Sequence, residues 1–198
     1  MRHTSVSWAI DGEPSTGCDQ AAARPVVTDS PRGVRLSRPG FRIASATEFQ
    51  EWQARSIRSY ADDLAKATGR PREVEQDRAR QQLAELLPAG MGTDGTWILL
   101  IVDEAGVKVG TVWVGPHPER AGVAFLYDLE IVHERRGLGV GSAAMMAVGS
   151  LVKEAGGTEI GLSVFGFNEP ARRLYDSLGY RVVSTLMTKT IESKLPGE

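Results

Sequence analysis

Cysteine is almost absent from this chain, and histidine is scarce. The single cysteine, Cys18, excludes an internal disulfide and a zinc site built from thiolates. Three scattered histidines, His3, His117 and His133, supply no metal-binding cluster. Long apolar runs are missing too. The longest, Trp97–Val102 and Ala143–Val148, are six residues each, far below the roughly 20 that a membrane-spanning helix needs. Charge is nearly balanced: a net −2 provides no electrostatic footprint for nucleic acid. The first residues lack the apolar stretch of a secretory signal, so the expected setting is the cytoplasm. What remains is 198 residues, 41% hydrophobic and 24% charged, enough to bury one real core.

The first forty residues differ from the rest. Sixteen of them are Pro, Gly, Ser or Thr, and five arginines are interleaved with four acids. Such a stretch buries too little apolar surface to offset its ordering entropy. Residues 1–40 are therefore expected to form a disordered extension, 41–192 the folded domain and 193–198 a short tail. Phe41–Ala44 reads as a strand. Thr47 with Gln50 has the spacing of a capping box, and Phe49, Trp52, Ile57, Tyr60 and Leu64 follow near one helical face. Gly69-Arg70-Pro71 opens a second, highly charged helix that carries Val74, Leu83, Leu86 and Leu87.

Beyond Gly95 the period changes. Trp97–Asp103 and Val107–Gly115 are β-rich and separated by Glu104-Ala105-Gly106, a hairpin signal. Val123–Val132 is a third β run, Gly139–Ala155 a helix and Thr158–Val164 a strand. A short helix over 168–178 begins at the capping residue Asn168 and stops at Gly179. Tyr180–Val183 and Leu186–Ile191 read as two closing strands. The order β-α-α-β-β-β-α-β-α-β-β is a mixed α/β architecture with helices on a sheet.

The informative stretch runs from Leu126 to Ser142: a buried-looking strand, then Arg135-Arg136-Gly137-Leu138-Gly139-Val140-Gly141, then a helix. Glycines allow unusual backbone angles and close approach of a ligand. Free amides and the dipole at the helix start form an anion site, and the two arginines add positive charge. A phosphate-bearing ligand is the chemical reading; without one, the stretch is simply a tight strand–helix connection. No lysine lies between Val132 and Ser142, which argues against a P-loop. Placement after residue 136 argues against a dinucleotide fold, whose glycines follow its first strand.

Arg136-x-x-Gly139-x-Gly141, preceded by the strand Leu126–Val132, resembles the acyl-CoA signature of the GNAT superfamily of N-acetyltransferases. Downstream, Leu162-Ser163-Val164, Asn168, Ala171, Leu174-Tyr175 and Leu178-Gly179-Tyr180 are similar to that family's second signature. The resemblance covers roughly residues 41–191. It implies a mixed central sheet of about six to seven strands flanked by about four helices. It also implies acetyl-CoA as co-substrate, no metal, and direct transfer to a primary amine on a small molecule or a peptide N-terminus. By the same resemblance the pyrophosphate is held by Arg136, Gly137, Leu138, Gly139, Val140, Gly141 and Ser142. The pantetheine arm lies beside Ile131 and Val132, and Asn168 bonds that arm, caps its helix, or does both. A homodimer is left open. The alternatives are another acyl group, such as succinyl, or a non-catalytic acyl-CoA sensor.

Amine attack needs a neutral nitrogen. Asp128 and Glu130 point to one face of their strand by two-residue alternation, and Glu130 is the first choice for base or amine anchor. A salt-bridged structural acid is the other reading. The strand after the motif helix holds Gly161 and Ser163 where some relatives carry a glutamate, so that source of a base is missing. Tyr175, seven residues after Asn168, is the candidate donor to the departing thiolate. Trp52, Tyr60 and Trp113 are candidates both for the acceptor pocket and for the core.

Overall fold

A computed structural model describes residues 40–189 and 191. The expectations for residues 1–39 and 193–198 lie outside the described residues, as does Cys18. Five strands, β1 (Gly40–Ile43), β2 (Trp97–Val102), β3 (Lys108–Pro116), β4 (Ala124–Ile131) and β5 (Ile160–Leu162), form one sheet in the order β1-β2-β3-β4-β5. All neighbours are antiparallel except β4 and β5. Four helices accompany them: α1 (Ala46–Thr68), α2 (Arg72–Leu86), α3 (Val140–Glu154) and α4 (Glu169–Ser177).

The sheet separates two cores. Alternation along the strands sends Leu99, Ile101, Val112, Leu126, Leu129 and Ile131 to one face, against α3 and α4. Ile98, Trp113, Phe125 and Tyr127 go to the other, against Trp52, Tyr60 and Leu64 of α1 and Ala79 and Leu83 of α2. Trp52 and Trp113 are wholly buried and meet edge-to-face at 5.4 Å. Core packing is therefore the work of both, and of Tyr60.

Two expectations are corrected. The capping box of α1 is Ser45 with Glu48, not Thr47 with Gln50. Both pairs have the right spacing, but Glu48 also accepts two hydrogen bonds from Arg42 on β1, at 2.8 and 2.9 Å. That partner, six residues upstream on β1, settles the helix start two residues earlier. The second correction concerns the sheet, which has five strands rather than six or seven. Tyr180–Val183 and Leu186–Ile191 carry no strand pairing among the described residues. β-propensity records that a segment suits a pleated, half-buried surface; it does not supply the neighbouring edge.

Candidate active site

Parallel pairing of β4 with β5 is brief: Ala124, Phe125 and Leu126 pair with Ile160, Gly161 and Leu162, and there it ends. β4 continues to Ile131 with β3 on its other side only, so a wedge opens between β4 and the chain that follows β5. The register with β3 slips at the mouth of this wedge. Val114 faces Leu126 and Trp113 faces Asp128, leaving Tyr127 as an extra, bulged residue. A bulge re-aims side chains. Tyr127 and Asp128 consequently both turn toward α1, Tyr127 stacking on Trp113 at 4.5 Å.

Asp128 is 5% exposed, and its Oδ2 accepts from Trp52 Nε1 at 3.0 Å. Burial, and then the charge of Glu130, push its pKa up to about 7, while the bond from Trp52, the charge of Arg55 and the nearby Ser56 hydroxyl hold it back. Glu130 shares the α1 face, as the alternation implied, but its surroundings differ. Arg55 Nε donates to Glu130 Oε2 at 2.6 Å, and Arg55 also reaches Thr111 Oγ1 at 3.5 Å. A guanidinium thus occupies the lone pairs of Glu130, whereas Asp128 meets only neutral donors. The pull of Trp52, Ser56 and Arg55 on these two acids was invisible in the sequence, because α1 lies about seventy residues upstream. The one legible signal was two carboxylates in an otherwise apolar strand.

On the other side of the wedge stands α4. Its start is set by Asn168, whose side chain accepts from the Ala171 amide at 3.3 Å, and by Pro170 in the first turn. The capping reading of Asn168 therefore holds. Ala171 and Tyr175 form the buried face of the helix. Tyr175 is 2% exposed, and its hydroxyl has no hydrogen-bond partner among the described residues. Burial raises its pKa well above the usual value, and the nearby charge of Asp128 adds to the rise. An orphaned hydroxyl inside a protein is costly, about 1–3 kcal/mol, and marks a place where another acceptor is expected to sit.

Below the wedge lies the glycine turn. Gly137 and Gly139 have φ of +72° and +80°, in the left-handed region. Gly139 is the N-cap of α3 and gives no side-chain cap, so the first amides of the helix are left as donors. Nothing lies within 4 Å of a Cβ placed on Gly139, whereas one on Gly141 would meet Leu174 Cδ2 at 3.3 Å and Ile131 at 3.9 Å. Gly141 thus lets α3 pack against α4 and β4, and Gly139 carries the backbone turn. Val140 and Ser142 are half-buried in the first turn of α3, and Leu138 is exposed.

The arginines serve the turn itself. Arg136 Nε donates to the carbonyl oxygen of Ile131 at 2.8 Å, tying the turn to the end of β4. Arg135 pairs with Asp103 of the β2–β3 connection at 2.9 Å. A cleft of about 530 Å³ flanks the turn, lined by Asp103, Glu104, Arg135, Leu138, Gly139 and Val140 among others. Its two carboxylates make it a poor seat for phosphate, unlike the amides of α3.

The far rim of the wedge is built by α1 and the loop after β5. Tyr60 faces Phe165 at 6.2 Å between ring centroids, and Lys66 Nζ lies 3.6 Å from the centre of the Phe167 ring. Asp63, between them on α1, is pushed up to about 6 by burial. Among the described residues no group of three or more His, Cys, Asp or Glu side chains is arranged to hold a metal, and no helix is long and apolar enough to cross a membrane.

Over 147 residues the chain is 29% identical to the uncharacterised N-acetyltransferase YycN of Bacillus subtilis (strain 168), covering 73% of this chain and 93% of that protein. The crystal structure of YycN matches with a TM-score of 0.73 at 26% identity, over 78% of this chain and 99% of that one. Mycothiol acetyltransferase of Thermobispora bispora is 29% identical over 166 residues, which span 79% of this chain and 51% of that enzyme. AAC(6')-Iy, solved with the bisubstrate analogue CoA-S-monomethyl-acetylneamine, shares the fold at a TM-score of 0.51 and 16% identity, over 79% of this chain and 100% of that one. Residues 47–180, which contain the wedge, the glycine turn and α4, match the model of the acetyltransferase (GNAT) family, and the chain belongs to that family.

Proposed function

We propose that this protein transfers the acetyl group of acetyl-CoA directly to a primary amine, of a small molecule or a peptide N-terminus, at the wedge between β4 and β5. The observation that carries the reading is the pairing of two buried, protonation-tuned groups across that wedge. Asp128 stands on β4, and the orphaned Tyr175 hydroxyl stands on α4. The free amides at the start of α3 hold the pyrophosphate, with Gly139 shaping the turn and Arg136 fixing it to β4. The pantetheine arm follows Ile131 and Val132, where β4 lacks a partner on the β5 side.

The amine nitrogen attacks the thioester carbonyl carbon, its proton passes to a base, and the C–S bond breaks to release CoA as a thiolate, which takes up a proton from solvent as it leaves. Asp128 is the better base of the two acids, because its pKa of about 7 lies near working pH and its oxygens are not held by a cation. Glu130 with Arg55 then serves to anchor and tune. An acid of that strength suits an α-amine of pKa about 7.7–8.0 better than a lysine at about 10.4. Tyr175 donates a hydrogen bond to the sulfur as charge develops there.

A panel of primary amines, scored by thiol release with acetyl-CoA and succinyl-CoA as donors, tests the reaction. Turnover with acetyl-CoA and at least one amine is expected. Acetyl-CoA binding without thiol release for any amine would replace the enzyme with an acyl-CoA sensor. Gly139→Ala tests the CoA seat. Left-handed backbone costs a residue with a Cβ roughly 1–2 kcal/mol, so the turn should shift and acetyl-CoA affinity in calorimetry should fall at least tenfold. Unchanged affinity would move the pyrophosphate elsewhere.

Glu130→Gln separates the two acids. It deletes a charge that raises the Asp128 pKa, so the limb of kcat/KM that rises with pH should move to lower pH while a high plateau survives. Collapse of the limb itself would make Glu130 the base.

A further inference from the structure

Two adjacent acids on α1 stand in opposite situations. Asp62 is exposed and paired with Arg72 at the start of α2. Asp63 is half-buried, and no hydrogen bond reaches its carboxylate among the described residues. Lys66 and Asp62 act on it through their charges alone, and burial is the largest influence on its proton. A carboxylate drawn part-way out of water without a donor is costly, and a cation beside it relieves that cost.

The course of α1 brings this acid to the wedge. Glu48 meets Arg42 on β1, Trp52 and Arg55 reach β4, and Tyr60 and Lys66 reach Phe165 and Phe167 in the loop after β5. The helix therefore crosses above the opening, and Asp63 lies between its last two contacts, three residues from each. Asp63 also follows Ser56, the neighbour of Asp128, by seven residues. That is two turns along one helical face, about 10 Å at 1.5 Å per residue. The surroundings are aromatic. Phe165 and Phe167 are half-buried and stack at 5.2 Å. The chain itself already lays an ammonium on this rim, the exposed Lys66 at 3.6 Å from the centre of the Phe167 ring. A π face beside a half-buried carboxylate is a setting that takes a cation.

We propose that Asp63 holds a second positive charge on the acceptor, so that the preferred substrate is an α-amine with a long basic side chain, a lysyl or arginyl residue with a free N-terminus. This rests on the transfer reaction proposed for the wedge. The α-amine stands at Asp128, and the side chain runs along α1 past Ser56 to Asp63. Standard bond lengths put the two nitrogens of an extended lysyl residue about 7–8 Å apart. That spans the rise between the acids once each nitrogen stands one hydrogen bond from its carboxylate. The methylene stem packs on the aromatic rim while the charged head meets Asp63. Lys66, exposed on a flexible stem, turns out to solvent as the incoming cation takes its place.

Lysine amide and norleucine amide differ only by the terminal ammonium. As acceptors in the thiol-release assay, the parent should favour lysine amide by at least about tenfold in kcat/KM. Asp63→Asn should erase that preference by raising the KM of lysine amide, with norleucine amide unaffected. Asp62→Asn removes the same charge from the paired neighbour and should leave the preference in place. Equal use of the two amides by the parent, or a preference that survives Asp63→Asn, overturns the proposal. Calorimetry of lysine amide against the CoA-loaded chain reads the same contact without turnover. Binding that weakens about tenfold in Asp63→Asn, with no thiol released from acetyl-CoA, would reject the transfer reaction and keep the cation site. Binding that is absent, or indifferent to Asp63→Asn, would reject the site itself.

Discussion

Asp128→Asn should lower turnover by on the order of 10²–10⁴-fold and, at pH 8, raise the melting temperature. The two effects have one cause. Asp128 is held at 5% exposure among Trp52, Trp113 and Ser56, where the charged carboxylate is poorly solvated, and its pKa stands at about 7 against an ordinary 3.8. A folded-state pKa raised above the unfolded value means that folding favours the proton. That contribution is complete below about pH 4 and is lost as pH rises toward 7. Above pH 7 the fold carries an ionised acid at a cost on the order of 4 kcal/mol. Asparagine keeps an oxygen for the Trp52 N–H and cannot ionise, so it should remove that cost along with the base. The parent's melting temperature is expected to decline between pH 5 and 8, with the variant's flatter across the same range. Calorimetry over that range and a pH–rate profile check both halves. A variant that is less stable at every pH and loses less than about threefold in turnover would make Asp128 an ordinary structural acid.

Tyr175→Phe should reduce turnover on the order of 10²-fold and leave acetyl-CoA affinity nearly unchanged. Stability should hold or rise slightly, because the deleted hydroxyl has no hydrogen-bond partner among the described residues. A phenol is already a weaker acid than a thiol, about 10 against 8.5, and burial moves Tyr175 further in that direction. It is therefore unsuited to complete proton transfer to a thiolate and suited to donating one hydrogen bond in every state of the cycle. The ring packs against Tyr180 at 5.5 Å and lies within the α3–α4 core, so phenylalanine preserves the packing. Turnover within about threefold of the parent would return Tyr175 to the core alone.

Much of this was legible in the residues because it is local. The glycine turn declared itself, since left-handed backbone at Gly137 and Gly139 and an unassisted helix start are properties of a few consecutive residues. Asn168 as the cap of α4 and Gly179 as its stop were legible for the same reason. The period of 3.6 in α1 and α3 and the β-rich runs of β2, β3 and β4, the first two joined by a hairpin signal, made the element order plain. Even the shared face of Asp128 and Glu130 followed from alternation, although the bulge at Tyr127 lay hidden between Leu126 and Asp128.

What the chain sequence by itself determined was the order of elements, the phosphate-type turn and the short list of groups able to do chemistry there. What only the tertiary structure decided was how those groups differ. Arg55, about seventy residues from either acid, neutralises Glu130 and leaves Asp128 among neutral donors, which makes Asp128 the stronger candidate for the base. β5 pairs for three residues and then parts from β4, which opens the wedge. Tyr180–Val183 and Leu186–Ile191 have strand character and, among the described residues, no strand pairing. The physical reason is common to all three. Propensity and periodicity depend on neighbours along the chain, whereas burial, ion pairing and strand pairing depend on segments brought together across it.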